Sequence, residues 1–146
     1  IRFLTEEKSL NEDNFLCEGD LLFTRLSGSI DYVGNCAVVR KLNNQRIQYP
    51  DRLFCAKLID KVYSIYSELC FSSPLLRNLI KQKAKSSAGH QRISMGDITE
   101  AIIPFPPPIE QQEIVRRVTS LFKFANQIEQ QYQQSFGAIN QLDQTI

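Results

Sequence analysis

Apolar positions along this chain change their period twice, and each change marks a different kind of element. Short apolar runs come first. Glu18-Gly19-Asp20 is a turn signal, and Leu21-Leu22-Phe23-Thr24 behind it has the composition of a short buried strand. Ser27-Gly28-Ser29 breaks that strand, Tyr32 to Val39 reads as a second one, and Asn43-Asn44 as a hairpin turn. A third strand is expected from Arg52 to Ile59, where Leu53, Cys55 and Lys57 alternate with Phe54, Ala56 and Leu58. The period then becomes helical. Val62, Ile65, Tyr66, Leu69 and Cys70 line one helix face. Ser73 is placed as an N-cap and Pro74 at the first helical position of a further helix. Its inner face is Leu75, Leu76, Leu79 and Ile80, with Arg77, Lys81, Lys83 and Lys85 outside. Ser86 to Gly89 stops it, Gln91 to Ser94 reads as a short strand, and Ser94 caps a single turn through Asp97. Ala101 to Phe105 is extended, and Pro104, Pro106, Pro107 and Pro108 forbid a helix until about Ile109.

From Ile109 to Ile146 the period shifts again, to a heptad. With Val118 as an a position, the a and d sites read Ile114, Val118, Leu121, Ala125, Ile128, Tyr132, Ser135, Ile139, Leu142 and Ile146. A 3.5-residue repeat keeps one narrow stripe on one side of a helix, and such a stripe needs a partner helix. At ~1.5 Å per residue the segment would reach roughly 55 Å, far more than a small body needs to cover its core. A helix that packs on its own core is the alternative, and the regular narrow stripe argues against it. Glu110 and Glu113 suit the positive end of this helix. The expected class is α+β: a small α/β body over residues 1–103, a proline hinge at 104–108, and a coiled-coil spacer or dimerisation helix at 109–146. The acidic, poorly patterned opening and the uncapped, mid-register end both lead us to expect further chain beyond them.

Composition adds little to this picture, because 42% hydrophobic and 23% charged residues are ordinary for a folded domain. No run approaches the ~18 apolar residues of a membrane span, and no signal-peptide pattern opens the chain. Cys17, Cys36, Cys55 and Cys70 show no C-x-x-C spacing; free thiols in a reducing cytoplasm are expected rather than a disulfide framework or a zinc site. Charge is more informative. The net charge of +1 hides six acids within residues 1–20 (Glu6, Glu7, Glu12, Asp13, Glu18, Asp20), set against Arg2 and Lys8. No acid lies between Glu68 and Asp97, where Arg77, Lys81, Lys83, Lys85 and Arg92 fall.

Three stretches carry a resemblance. Gly19-Asp20-Leu21-Leu22-Phe23-Thr24-Arg25 through Ser27-Gly28-Ser29 and Val33-Gly34 is one; Gly89-His90-Gln91-Arg92-Ile93 with Asp97-Ile98 is another. The most specific is Ile103-Pro104-Phe105-Pro106-Pro107-Pro108-Ile109-Glu110-Gln111-Gln112-Glu113-Ile114-Val115. In this order they resemble the specificity subunit of type I restriction–modification systems, the last looking like its junction between a target recognition domain and a conserved helix. The resemblance implies that residues 1 to about 103 are the later part of one recognition domain, lacking its opening strands, in a fragment or a half-sized subunit. It also implies that the remainder is one spacer helix, paired with a second recognition half or a second copy. Such a protein has no catalysis of its own. It reads one half of a bipartite site in double-stranded DNA, and methyltransferase (modification) subunits, and through them restriction subunits, dock around it.

Candidate DNA contacts follow. Lys81, Lys85, Ser86, Ser87, His90, Gln91 and Arg92 mix phosphate-type donors with groups suited to base edges, and Arg25, Ser27, Gly28 and Ser29 form a small polar loop. A solvated helix face and a plain hairpin turn are the bland alternatives for the two groups. Ser27-Gly28-Ser29 lacks the Gly-Lys-Ser/Thr ending of a P-loop. His90, the single histidine, has no acid or cysteine beside it in sequence and forms no Ser–His–Asp set. The prolines lack the amide or acid before, and the aromatic ring after, of an adenine methyltransferase motif. We therefore expect no catalytic residues, no metal and no cofactor. Ile114, Val118, Leu121, Ala125, Ile128, Tyr132, Ile139 and Leu142 are the expected dimerisation positions. A non-catalytic coiled-coil interaction scaffold, with an incidental basic patch, is the alternative function.

Overall fold

The computed structural model describes residues 15–43, 45–87 and 89–143, with the side chains of Lys61, Val62 and residues 138–143 also left aside. The expected acidic positions Glu6, Glu7, Glu12 and Asp13, the turn residue Asn44, and the seam position Ile146 therefore lie outside the described residues, as do the side chains of Val62, Ile139 and Leu142. Two compact units divide after Phe105.

The first unit is mixed α and β. Strand β1 (Leu21–Thr24) lies at the centre of an antiparallel sheet, between β3 (Cys36–Val38) and β4 (Leu53–Ala56). Alternation along β1 turns Leu21 and Phe23 inward, as the period of two requires. They join Val33, Phe71, Leu76, Ile80, Ile93 and Ile98 in one apolar cluster. Phe23 meets Phe71 edge-on, ring centroids 4.9 Å apart. β1 is bounded at its start by Asp20, buried, whose Oδ2 accepts from the Cys17 amide at 2.8 Å and from Lys57 Nζ at 3.4 Å. The Gly19-Asp20 turn thus locks the strand at its origin.

Helix α1 (Lys61–Ser72) covers β3. Of the face its apolar spacing picks out, Tyr66 is buried, Leu69 and Cys70 are half-buried and Ile65 is exposed. Ser64, Ser67 and Phe71 are buried beside it, where Ser64 Oγ donates to the Gly19 carbonyl and Glu68 accepts from the Val38 amide (3.0 Å) and Arg40 (2.7 Å). Polar bonds to strand ends thus widen the buried side of the helix beyond its apolar residues. Helix α2 (Pro74–Lys83) starts as expected, with Ser73 as N-cap and proline at its opening. Leu76 and Ile80 are buried, while Leu75 and Leu79 remain exposed, so half of the expected inner face faces outward. Helix α3 (Met95–Thr99) has the capping box that Ser94 and Asp97 predict.

Two strand expectations change. Only Cys36–Val38 of the Tyr32–Val39 run is extended. Gly34, at φ +71°, donates its amide to the Thr24 carbonyl at 2.7 Å and folds the residues before it into turns. The third strand likewise shortens to Leu53–Ala56. A second sheet, of order β2-β6-β5, is built from β2 (Leu26–Ser27), β6 (His90–Arg92) and β5 (Lys85–Ser87). Only β6 was visible as a strand in the sequence. Arg25 alone separates β1 from β2, and its carbonyl accepts from the Ile93 amide at 3.1 Å, so one stretch of chain feeds both sheets.

All four cysteines are free; Cys17 is exposed, while Cys36, Cys55 and Cys70 are half-buried. Burial, reinforced by Glu68, pushes the Cys36 thiol up to about 12. A thiol raised in this way stays protonated and unreactive below that pH. Iodoacetamide at pH 8 is therefore expected to consume Cys17 well before Cys36. Peptide mapping of a time course checks the order, and equal rates would contradict the burial of Cys36.

The second unit is α4 (Pro108–Asp143), whose 36 residues span about 54 Å. Its opening lacks a side-chain cap of the usual kind. The Pro107 carbonyl accepts from the amides of Glu110 and Gln111, and Gln111 Nε2 donates to the Pro106 carbonyl at 2.8 Å. Glu113 holds Arg116 and Arg117, each at 2.7 Å, and these bonds bring its carboxyl down to about 2. Every residue from Thr119 to Gly137 is exposed. Among the seam positions, Leu121 is 67% exposed, Ile128 51% and Tyr132 62%. Ala125 is exposed as well, and Ile114 and Val118 are half-buried. Among the described residues no helix is long and apolar enough to cross a membrane.

Candidate nucleic-acid interface

The two groups of candidate residues, some sixty positions apart in sequence, meet in the second sheet. Strand pairing sets Leu26 opposite Arg92 and Ser27 opposite Gln91; on the other side of β6, Lys85 faces Arg92, Ser86 faces Gln91 and Ser87 faces His90. Alternation divides these rows between two faces. Lys85 and Arg92 lie on one, where with Arg25, Phe54, Ser94 and Asp97 they line a cleft of about 410 Å³. Ser27, Ser86 and Gln91 lie on the other. All three residues of β5 are exposed, as are His90 and Arg92.

Arg25 is held in place before any ligand arrives. Its Nη1 donates to the Asp51 carbonyl at 3.2 Å, and its guanidinium lies over the Phe54 ring, 5.4 Å from the centroid. Among the described residues that line this cleft, Asp97 is the single carboxylate, against the cations Arg25, Lys85 and Arg92. It is committed to the α3 cap: the Ser94 amide and hydroxyl both donate to it, and these bonds hold its carboxyl below the usual range. This described lining is therefore net positive. On the opposite face Gln91 Nε2 donates to Ser86 Oγ at 3.2 Å, which orients the amide. Ser27 Oγ accepts from the Ser29 amide, and Ser29 Oγ from the Asp31 amide, so both hydroxyls shape the loop. A Cβ added at Gly28 would meet nothing within 4 Å; the fold itself leaves that side open.

The rest of the basic stretch is engaged with the protein. Arg77 donates to the carbonyls of Val33 (2.8 Å) and Asp31 (2.9 Å). Lys81 pairs with Asp31 at 2.7 Å, and its hydrogen bond lowers the Asp31 carboxyl below the ordinary value. Lys83 reaches Glu100 at 3.5 Å. Arg77 and Lys81 thus pin the loop over residues 28–35 to α2. Sequence reasoning missed Phe54 and Asp97; the aromatic in the strand beside Arg25 was the available signal for the first. Among the described residues no group of three or more His, Cys, Asp or Glu is placed to hold a metal.

Residues 32–135 match the family described as type I restriction modification DNA specificity domain. The chain belongs to that family. The match takes in the β5–β6 hairpin and most of α4, while Arg25 and β2 lie just ahead of it. The type I restriction enzyme EcoKI specificity subunit of Escherichia coli strain K12 is 42% identical over 146 residues, all of this chain and 32% of that protein. The StySPI specificity subunit of Salmonella potsdam is 30% identical over 140 residues, 94% of this chain and 30% of its own length. The EcoBI specificity subunit of Escherichia coli is 33% identical over 85 residues, 58% of this chain and 18% of that protein. The chain thus spans about a third or less of the length of these specificity-subunit relatives.

Proposed function

We propose that this chain is the DNA-reading part of a type I restriction–modification specificity subunit, without catalysis of its own or a cofactor. The first unit addresses one half of a bipartite site in double-stranded DNA. α4 pairs with an apolar-striped helix, from a second recognition half or a second copy, and so fixes the separation from the other half. Methyltransferase subunits, and through them restriction subunits, gather around that frame. The observation that carries the reading is the convergence of Arg25, Lys85 and Arg92 on one cleft, its described lining net positive, beside a sheet of exposed polar side chains, in a chain of a DNA specificity family.

Cations at phosphates release condensed counterions, so affinity should fall steeply with salt. Each charge-assisted contact is worth ~1.5 kcal/mol. The double variant K85A/R92A is then expected to bind duplex on the order of 100-fold more weakly at low salt, with the log–log salt slope reduced by about 2. Fluorescence anisotropy across a salt series measures both. Wild-type protein that binds no duplex at low salt would favour the interaction scaffold instead.

A further inference from the structure

Like β2, the β5–β6 hairpin contributes no residue to the core cluster. Its six strand residues are polar, all but the half-buried Gln91 are exposed, and among the described residues β5 is an edge strand of its sheet. The turn between the strands includes Gly89 at φ +78°, the conformation that suits a tight two-residue connection. A two-stranded ribbon is one of the two shapes that a major groove ~12 Å wide admits. Strands ~4.8 Å apart, with side chains on both sides, fill that width.

Resting on the DNA-recognition reading, we infer that the β5–β6 hairpin is the segment that enters the major groove, with its two faces divided by task. Lys85 and Arg92, turned toward Arg25 and the cleft, grip backbone phosphates. Gln91, on the opposite face, reads a base edge. The division follows from the register, which alternates the two sets, and from what each side chain already touches. Arg25 is aligned by Phe54 and the Asp51 carbonyl, so the cleft side holds the preorganised positive charge. Gln91 has its amide nitrogen turned to Ser86 Oγ, which fixes the plane of a group able to accept and donate to adenine in the major groove. Ser86 is a positioning residue for Gln91.

Selection of bound duplexes from a randomised library, together with methylation interference, tests this with the chain as it stands. Dimethyl sulfate marks guanine N7 in the major groove and adenine N3 in the minor groove. Interference is expected at guanine N7. Q91A is expected to relax base preference at one position of the selected site by tenfold or more while leaving the salt slope unchanged, and S86A to weaken the same position less. K85A and R92A should each lower the slope by about 1 and keep the selected bases. The exposed Lys41, away from this sheet, supplies a control in K41A, which should alter neither readout. If wild-type protein binds salt-dependently but Q91A selects the same bases, or interference falls at adenine N3 alone, the hairpin assignment fails and the DNA reading survives. Should wild-type protein enrich no duplex, both fall together.

Discussion

Replacing Val118 and Ile128 by glutamate is expected to abolish pairing through α4 altogether. These positions are an a and a d site of one stripe, and along that stripe Leu121, Ala125, Ile128 and Tyr132 are exposed in the single chain. Burying a large apolar side chain is worth ~1.5–3 kcal/mol, so a pair of such helices gathers its stability from these few contacts. A carboxylate at a seam position forfeits that contribution and adds the cost of removing a charge from water. In a symmetric pair each substitution acts twice. Sedimentation velocity should show one species of lower mass for V118E/I128E, at concentrations where the unaltered chain associates. An unchanged distribution would mean that the stripe is not the contact. Circular dichroism should show the first unit intact, since neither residue belongs to its core.

Gly34→Ala is expected to be the most damaging single methyl in the first unit. Gly34 sits at φ +71°, and a Cβ there would overlap Ile80 Cγ2 and press on Arg77. The left-handed backbone costs a residue with a side chain ~1–2 kcal/mol, and overpacking a close contact ~1–3 kcal/mol more. The sum, about 2–5 kcal/mol, corresponds to a fall in Tm of at least ~8 °C for a body of this size. Gly28→Ala is the matched control: nothing lies within 4 Å of its added Cβ, so Tm should stay within about 2 °C. Equal melting of the two variants would contradict the packing of the Gly34 turn against α2.

These outcomes separate what local sequence signals determine from what distant partners determine. β1, the Ser73 and Ser94 caps and α4 are readable because their causes lie within a few residues. α1 is readable as a helix with Tyr66 turned inward, but not in the full width of its buried side, because Ser64 and Glu68 bond to Gly19 and Val38, far away in the chain. The basic stretch has the same difficulty. Nothing near Arg77 or Lys81 announces Asp31 and the Val33 carbonyl, yet these contacts turn two expected surface cations into fasteners of a loop. Strand β5 was hidden for a different reason. Lys85-Ser86-Ser87 has no apolar residue, since neither of its faces meets the core, and strand patterns in sequence are patterns of half-burial. The candidate site was therefore legible as two separate lists of polar residues, and the β2-β6-β5 register joins them.

An edge strand with no buried side chain has an evolutionary consequence. The cluster around Phe23 does not register which amino acids occupy positions 85–87, so exchanges there carry almost no folding penalty. On the DNA-recognition reading proposed above, a lineage under pressure to change its target sequence can revise that short segment while Leu21, Phe23, Val33 and Ile80 stay fixed. Variation should accumulate fastest at the hairpin and slowest in the scaffold behind it.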